Sequence, residues 1–299
     1  METTTDVYHA GSRAVQDRVG VRGAADHVGR SVGHGIKPVA AAFLELQPLL
    51  VAGAADPGTG RVWASPLTGT PGFVRATGPR RMSVTGGPRP GDPLAAALAT
   101  EGTAVGTIAL DPRTRRRMRL NGRLRPTPRG FAVEADRVFA NCPKYLQRRD
   151  SYETVAGREP GTPRRGDALT DGQRAFVEAA DTFFVATVHE DGADASHRGG
   201  NPGFVRAPSP DALTWRDYPG NAMFLTLGNL AADPRAGLLF LDWTTGTALQ
   251  ITGEAHTEFT PGGERRVRFT VTRAVETPCA VPLRWSAPAY SPANPSPPG

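Results

Sequence analysis

The sequence predicts a mainly β protein made of two tandem small barrels with short inserted helices, and three observations carry that expectation. The first is a hexapeptide met twice: Pro71-Gly72-Phe73-Val74-Arg75-Ala76 returns as Pro202-Gly203-Phe204-Val205-Arg206-Ala207, residue 71 against residue 202, an offset of 131. Without insertion or deletion the offset also pairs Ala64-Ser65 with Ala195-Ser196, Gly69 with Gly200, Gly106 with Gly237, Leu110-Asp111 with Leu241-Asp242 and Gly122 with Gly253. The second is the recurrence of short apolar segments between turn residues, in a chain with 35 Gly and 28 Pro, which favours strands and turns over long helices. The third is length: 299 residues suffice for two units that each bury a core.

Residues 1–35 read as an N-terminal helical extension, with one or two short helices laid on the outside of the first unit. The first barrel spans 36–150. Pro38, tolerated in a first helical turn, opens a helix over Ala40 to Leu46. Strands Leu49 to Ala54 and Arg61 to Pro66 flank the turn Asp56-Pro57-Gly58-Thr59-Gly60. Arg81 to Thr85 is a further strand, Asp92 precedes a short helix over Leu94 to Ala99, and Ala104 to Leu110 with Arg117 to Asn121 complete the unit. Residues 151–168 link the copies, through a Pro-, Gly- and Arg-rich stretch. The second barrel, 169–285, repeats the order. Its helix covers Gln173 to Ala180, and its first strands, Phe183 to His189 and Ala193 to Arg198, meet at the turn Glu190-Asp191-Gly192. Ala212 to Arg216 follows, then a helix over Ala222 to Ala231 capped by Asn221, then Ala236 to Asp242 and Thr247 to Thr252. Five or six antiparallel strands with one inserted helix make a small barrel. The proline-rich tail, 286–299, has little to bury and is expected to be disordered.

Composition narrows the function. An apolar fraction of 39% with 21% charged residues describes a soluble globular chain. Two cysteines, Cys142 and Cys279, are too few for a disulfide framework and lack metal-ligand spacing, which fits a reducing cytoplasm. The start, Met1-Glu2-Thr3-Thr4-Thr5-Asp6, is acidic where a signal peptide is basic, and the longest apolar stretch carries Glu45 and Gln47, so neither export nor membrane insertion is expected. The net charge of +6 is almost wholly arginine, since Lys37 and Lys144 are the only lysines. Arginine's planar fork suits phosphate and carboxylate. The run Arg113, Arg115, Arg116, Arg117, Arg119, Arg123 and Arg125 lacks interleaved aromatics and any nucleic-acid-binding motif, so a solvated hairpin face or a cradle for an acidic ligand or protein fits better than nucleic acid. The six histidines show no spacing that gathers a metal, Ser196-His197 has no nucleophile elbow around it, and Cys142 reads as structural.

The copies differ in polar residues at the shared offset. His197 faces Pro66, Arg198 faces Leu67, Asn221 faces Pro90, Thr226 faces Ala95 and Asn229 faces Leu98. A one-sided cluster of this kind points to a ligand held by the second unit alone. A phosphate suits it: Gly199 and Gly200 let backbone approach, Arg198 offers a charged fork, and the helix near Asn221 presents unpaired amides. Ordinary surface and capping roles are the competing explanation.

Within the second copy, Phe183-Phe184-Val185-Ala186-Thr187, His197-Arg198-Gly199-Gly200-Asn201-Pro202-Gly203-Phe204, Asp217-Tyr218-Pro219-Gly220-Asn221 and above all Asn229-Leu230-Ala231-Ala232-Asp233-Pro234-Arg235 resemble the pyridoxamine 5'-phosphate oxidase-like family of FMN-binding split barrels. The first copy, ending in Asn141-Cys142-Pro143-Lys144-Tyr145-Leu146-Gln147, is similar to the partner half of long members. The resemblance implies two split barrels forming an intramolecular pseudo-dimer, the first with a degenerate phosphate site, with FMN in the cleft between them. It implies phosphate contacts from Arg198 and Thr226, with His197, Gly199, Gly200, Asn221 and Asn229 close by and Asp217 and Gly220 in the adjoining loop. Thr226 stands where the oxidases carry lysine, so their substrate is not implied, and no catalytic acid, base or metal is assigned. Asn141, Lys144 and the arginine run are candidate donors to a flavin ring. The function implied is an FMN-dependent oxidoreductase acting on a small-molecule substrate, with a reductase or ferredoxin-like electron partner, as a monomeric pseudo-dimer or a homodimer. The alternatives are a flavin carrier or electron relay without turnover, and the same fold loaded with deazaflavin or haem.

Overall fold

In the computed structural model, which describes residues 7–140, 143–190 and 192–295, each repeat contributes seven strands to one antiparallel sheet wrapped around its own core, the second sheet gaining an eighth strand from the connection. The chain opens with α1 (Ala10–Val19) and α2 (Arg22–Gly29). The first unit holds α3 (Pro38–Glu45), β1 (Leu49–Ala55), β2 (Val62–Thr68), β3 (Val74–Gly78), β4 (Arg81–Thr85), α4 (Ala95–Ala99), β5 (Ala104–Asp111), β6 (Arg116–Thr127) and β7 (Gly130–Ala140). Short strands β8 (Tyr152–Thr154) and β9 (Arg164–Gly166) lie in the connection. The second unit holds α5 (Asp171–Ala179), β10 (Thr182–His189), β11 (Gly192–Gly199), β12 (Val205–Ser209), β13 (Ala212–Arg216), α6 (Leu225–Ala232), β14 (Arg235–Leu241), β15 (Ala248–Phe259) and β16 (Arg265–Thr277), and β17 (Leu283–Trp285) follows.

The sheet orders are β2-β1-β5-β6-β7-β4-β3 and β11-β10-β14-β15-β16-β13-β12, the same path strand for strand. Side chains from strands across each sheet meet in one core, around Leu50, Val74, Met82, Leu120 and Phe131 in the first unit and Phe183, Val205, Trp215, Phe240 and Phe269 in the second. Each sheet is therefore curled into a split barrel with two unjoined edges. A β-bulge bends each sheet at matching places: Asp136 of β7 is the extra residue opposite Asn121 and Gly122, and Thr272 of β16 the extra residue opposite Thr252 and Gly253. A Cβ on either glycine would collide with the carbonyl of the facing strand, at Glu134 or Thr270, which explains why both copies keep glycine there.

The barrels pack through their outer faces. Alternate residues of β1, β5, β10 and β14 point away from the barrel cores and join a third apolar cluster containing Val51, Ile108, Phe184 and Leu239. These strands are buried on both sides, hence the unbroken apolar run Phe183-Phe184-Val185-Ala186. The contact is isologous, as in a two-fold dimer. Gly106 lies against the Asp194–Ala195 backbone and Gly237 against Val62 and Trp63; the two glycines are separated by the repeat offset, and so are Trp63 and Asp194.

Several boundaries depart from the sequence expectation. Each unit has seven strands, because β7 and β16 extend the barrels beyond the short strands that turn residues delimit. Helix α1 packs on the second unit rather than the first: Val15 joins that unit's core and Gly11 sits against Gly228 of α6. The link is tied down at both ends, β8 pairing with β17 and β9 with β16. Residues 286–295 are held too, where composition predicts disorder. Ser291 is buried, its amide donates to Gln147 Oε1 at 2.8 Å, and Asn294 Nδ2 donates to Asn201 Oδ1 at 3.0 Å. Polar side chains on both units supply the bonds that the proline-rich segment cannot make within itself. Asp191, Asn141 and Cys142 lie outside the described residues.

Candidate functional site

A cavity of about 120 Å³ opens at the junction of the barrels. The second unit lines it with His197, Arg198, Gly199, Asp217, Gly220, Asn221 and Thr226, and the first contributes Ile108, Arg117, Arg119, Lys144 and Tyr145. Seven of the nine residues that the sequence singles out thus surround one space. Strand β11 delivers His197 and Arg198, the β13–α6 connection delivers Asp217 to Asn221, and α6 delivers Thr226.

Helix α6 starts after Phe224, which takes a left-handed conformation (φ 54°), as does Ala222 (φ 61°). No side chain caps it, so the amides of its first turn have no intrahelical partner at the cavity wall. Asn221 does not cap this helix as expected. Its Oδ1 accepts from Met223 N at 3.2 Å instead, in a local turn before the helix begins. Arg198 is held loosely, with Nη1 on Ser196 Oγ at 3.1 Å and Nη2 at 3.6 Å from Asp217 Oδ1, and its buried Nε has no partner. Asp217 is matched more closely by Arg265, whose Nε donates to Oδ2 at 3.0 Å. Ser196 Oγ and Thr226 Oγ1 lie 3.0 Å apart.

His197 is buried beneath this group. Arg117 Nη1 approaches its Nδ1 to 2.8 Å. Since arginine only donates, Nδ1 accepts and the ring proton sits on Nε2, a buried atom with no partner. Burial first, then the Arg117 and Arg198 charges, hold the imidazole well below its ordinary pKa of 6.5, so it stays neutral. The folded state therefore refuses a proton that the unfolded chain accepts, and stability falls as pH drops below about 6.5. Urea unfolding at stepped pH is expected to show wild type losing up to about 1.4 kcal/mol per pH unit relative to His197→Gln in that range. Parallel pH profiles for the two proteins would contradict the assignment.

Two expected residues fall elsewhere. Asn229 is turned into the packing between α6, β10 and α1, donating to Thr187 Oγ1 at 2.9 Å and contacting His9 Nε2 at 2.8 Å through Oδ1. Gly200 serves the Phe204 ring, which a Cβ there would overlap, and its amide donates to the Asp181 carbonyl. Gly199 faces the cavity, but its lack of a side chain is demanded by the Tyr145 carbonyl of the first unit. Lys144, with Nζ 5.3 Å from the Tyr145 ring, takes a place at the wall as a candidate donor. Within the arginine run only Arg117 and Arg119 reach this cavity. They stand two apart on β6 and so share a face. Tyr145 and Tyr218, with ring centroids 5.1 Å apart, close one side and carried no sequence signal of their own.

The repeat places a counterpart cavity across the pseudo-two-fold. At the 131-residue offset Pro66 replaces His197, Pro90 replaces Asn221, Ala248 replaces Arg117 and Gln250 replaces Arg119; all four line a space of only about 10 Å³. The first unit fills it with its own carboxylate: Asp92 Oδ1 accepts from Ser65 Oγ at 2.6 Å and from Leu94 N at 2.8 Å, and Gln250 Nε2 donates to Oδ2 at 3.3 Å. Burial raises the Asp92 pKa against the pull of those donors. In the second unit Met223 stands at the position of Asp92, so the open cavity has cationic donors and no built-in acid at that place.

Fold and cavity together define a tandem split-barrel protein with a cationic pocket between its halves. Residues 169–276, most of the second unit, match the family described as Pyridoxamine 5'-phosphate oxidase. No curated protein matches the chain. Solved structures similar to it include a candidate pyridoxamine 5'-phosphate oxidase from Lactobacillus delbrueckii (16% identity over 36% of this chain and 94% of that one, TM-score 0.31). HupZ of Group A Streptococcus is 13% identical over 34% of this chain and 89% of its own, with a TM-score of 0.29. An FAD binding protein from Mycobacterium smegmatis is 11% identical over 39% and 98%, with a TM-score of 0.27. Among the described residues no helix is long and apolar enough to cross a membrane, and no three His, Cys, Asp or Glu side chains gather as metal ligands.

Proposed function

We propose that the chain is an FMN-dependent oxidoreductase whose cofactor phosphate is held by the second unit in the cavity between the barrels. One observation carries this reading. The two pseudo-equivalent cavities differ in that the first ties its Leu94 amide and its Ser65 hydroxyl to the Asp92 carboxylate, whereas the second has the matching Leu225 amide and Ser196 hydroxyl, plus Arg198 and His197, at the wall with no such carboxylate. The unpartnered Nε2 of His197 and Nε of Arg198 fit an anion from outside. The family of the second unit supports the flavin.

Bound there, FMN supplies hydride or electron transfer to a small-molecule substrate or an electron-carrying protein. The protein's part is to bind and orient. Arg198 and the first-turn amides of α6 hold the phosphate, and Asp217, itself anchored by Arg265, steadies the Arg198 fork. Arg117 fixes the His197 tautomer so that a neutral N–H donor, not a cation, faces inward. The space of about 120 Å³ suits the phosphate end, and Leu225 lines both it and a neighbouring cavity of about 320 Å³ that offers further room.

The test is an absorbance spectrum of the purified protein, followed by denaturation and chromatography of what is released. The expected result is a yellow protein yielding FMN at about one equivalent per chain, because only one of the two cavities is open. A colourless protein, a different released cofactor or two equivalents per chain would each overturn the reading as stated.

A further inference from the structure

We propose that a second, larger groove of about 580 Å³, between α3 and the β5–β6 hairpin of the first unit, is a binding site for a small apolar organic anion. Val39, Phe43 and Phe139 give it apolar walls, while Lys37, Arg115 and Arg116 supply cations. Among the described residues no carboxylate lines it. A groove of this size, apolar with a few polar groups of one sign, suits a ligand of drug-like dimensions carrying an acidic group.

The placing of Arg115 is the strongest sign that its charge serves a ligand. It ends the hairpin turn in a left-handed conformation, φ 53°, where the sister hairpin at the repeat offset has Gly246 at φ 75°. The twin's glycine also answers to the Val281 carbonyl, which a Cβ there would meet, but Arg115 holds a side chain at an unfavourable angle and its buried Nε has no hydrogen-bond partner. Arg113, Arg119, Arg123 and Arg125 of the same run pair with Asp111, Asp194, Asp136 and Glu101. Arg115 and Arg116 have no carboxylate partner among the described residues; Arg115 reaches only the Ala289 carbonyl, at 3.4 Å. Two unmatched planar forks beside an apolar wall suit a carboxylate or phosphate on an aromatic or aliphatic body. Arg117 lines both this groove and the cavity between the barrels. As the place of the reaction's organic substrate the groove rests on the flavin reading, whereas as an anion site it stands alone.

The test uses the full chain as purified. Binding of 8-anilinonaphthalene-1-sulfonate is followed by fluorescence, with displacement by 1-naphthoate, 1-naphthyl phosphate and the neutral 1-naphthamide. Naphthoate or naphthyl phosphate is expected to displace the probe at least about tenfold better than the amide, and whichever does so identifies the acidic group. Arg115→Gly is expected to weaken the better anion about tenfold, with unchanged flavin content and an equal or higher Tm, since glycine relieves the backbone. Val39→Asp, at an exposed position, is expected to weaken it similarly by repulsion. Equal displacement by acid and amide, or anion affinity untouched by both substitutions, would overturn the proposal. Anion binding that persists in Arg198→Ala protein lacking flavin would support the site and separate it from the cofactor reading.

Discussion

Asp194→Ala is expected to lower the unfolding free energy by about 3–5 kcal/mol, the cost of leaving a buried charge without its partner. The Asp194 carboxylate, 2% exposed, comes from β11 of the second barrel, and both of its partners come from β6 of the first: Arg119, itself 6% exposed, and Asn121, whose Nδ2 donates at 2.8 Å. Removing the acid leaves the buried Arg119 guanidinium, 4.7 Å from the Phe139 ring, without its carboxylate partner. Asn121 suffers as well, because its Oδ1 is already buried without a partner. The repeat supplies the contrast, since Trp63 occupies the equivalent place in the first barrel and packs with that unit's core instead of pairing. Urea unfolding measures the loss. The double variant Arg119→Met with Asp194→Leu is expected to recover most of it, because an apolar pair of similar bulk needs no solvation. A cost below about 1 kcal/mol for the single variant would mean that water reaches Arg119 and that the joint between the barrels is looser than its burial indicates.

Much of this architecture is legible in the chain because the repeat constrains both copies at once. Glycines matched at the offset answer to matched steric demands, at the bulges and at the barrel contact, so their recurrence carries fold information even where a single glycine carries none. The last strand of each unit was harder to foresee. β7 and β16 each hold charged residues, and β16 alternates Val267, Phe269 and Val271 inward with Arg266, Arg268 and Thr270 outward. That pattern is readable as a half-buried strand, and Pro261-Gly262-Gly263 marks the turn before it, but its partner β15 runs to Phe259, well past the short strand Thr247 to Thr252 that the sequence suggests. The site divides along similar lines. His197, Arg198 and Thr226 stand out because the other copy has Pro66, Leu67 and Ala95. Asn229 stands out for the same reason and yet packs internally, since its asymmetry answers to α1, an extension that only one barrel receives. Comparing copies detects any one-sided demand, and a helix docked on one side is as one-sided as a ligand. Arg117 and Arg119 are the reverse case. The counterpart positions hold Ala248 and Gln250, so the difference was present, but it lies in the barrel opposite His197 and Arg198 and gains meaning only once β6 is seen crossing to the other unit.

Arg198→Ala is expected to weaken FMN binding about tenfold to a hundredfold while leaving the fold intact, the range for losing charge-assisted hydrogen bonds to one phosphate. The fold should tolerate the change because Asp217 keeps its bonds to Arg265, at 3.0 Å from Nε and, through its carbonyl, 3.2 Å from Nη2, so no carboxylate is stranded. Arg265→Ala is the informative opposite. It removes the better partner of Asp217 and the cation 5.1 Å from the Phe224 ring at the start of α6, so stability as well as binding should fall. Reconstituting stripped protein with FMN and with riboflavin isolates the phosphate: wild type is expected to prefer FMN strongly, and Arg198→Ala to lose most of that preference while its riboflavin affinity barely moves. Arg198→Lys should fall between, since a point charge replaces a fork. Equal weakening toward FMN and riboflavin would place the guanidinium beside another part of the molecule. In that case the uncapped α6 amides, which no side-chain substitution removes, would be left as the phosphate's main partner.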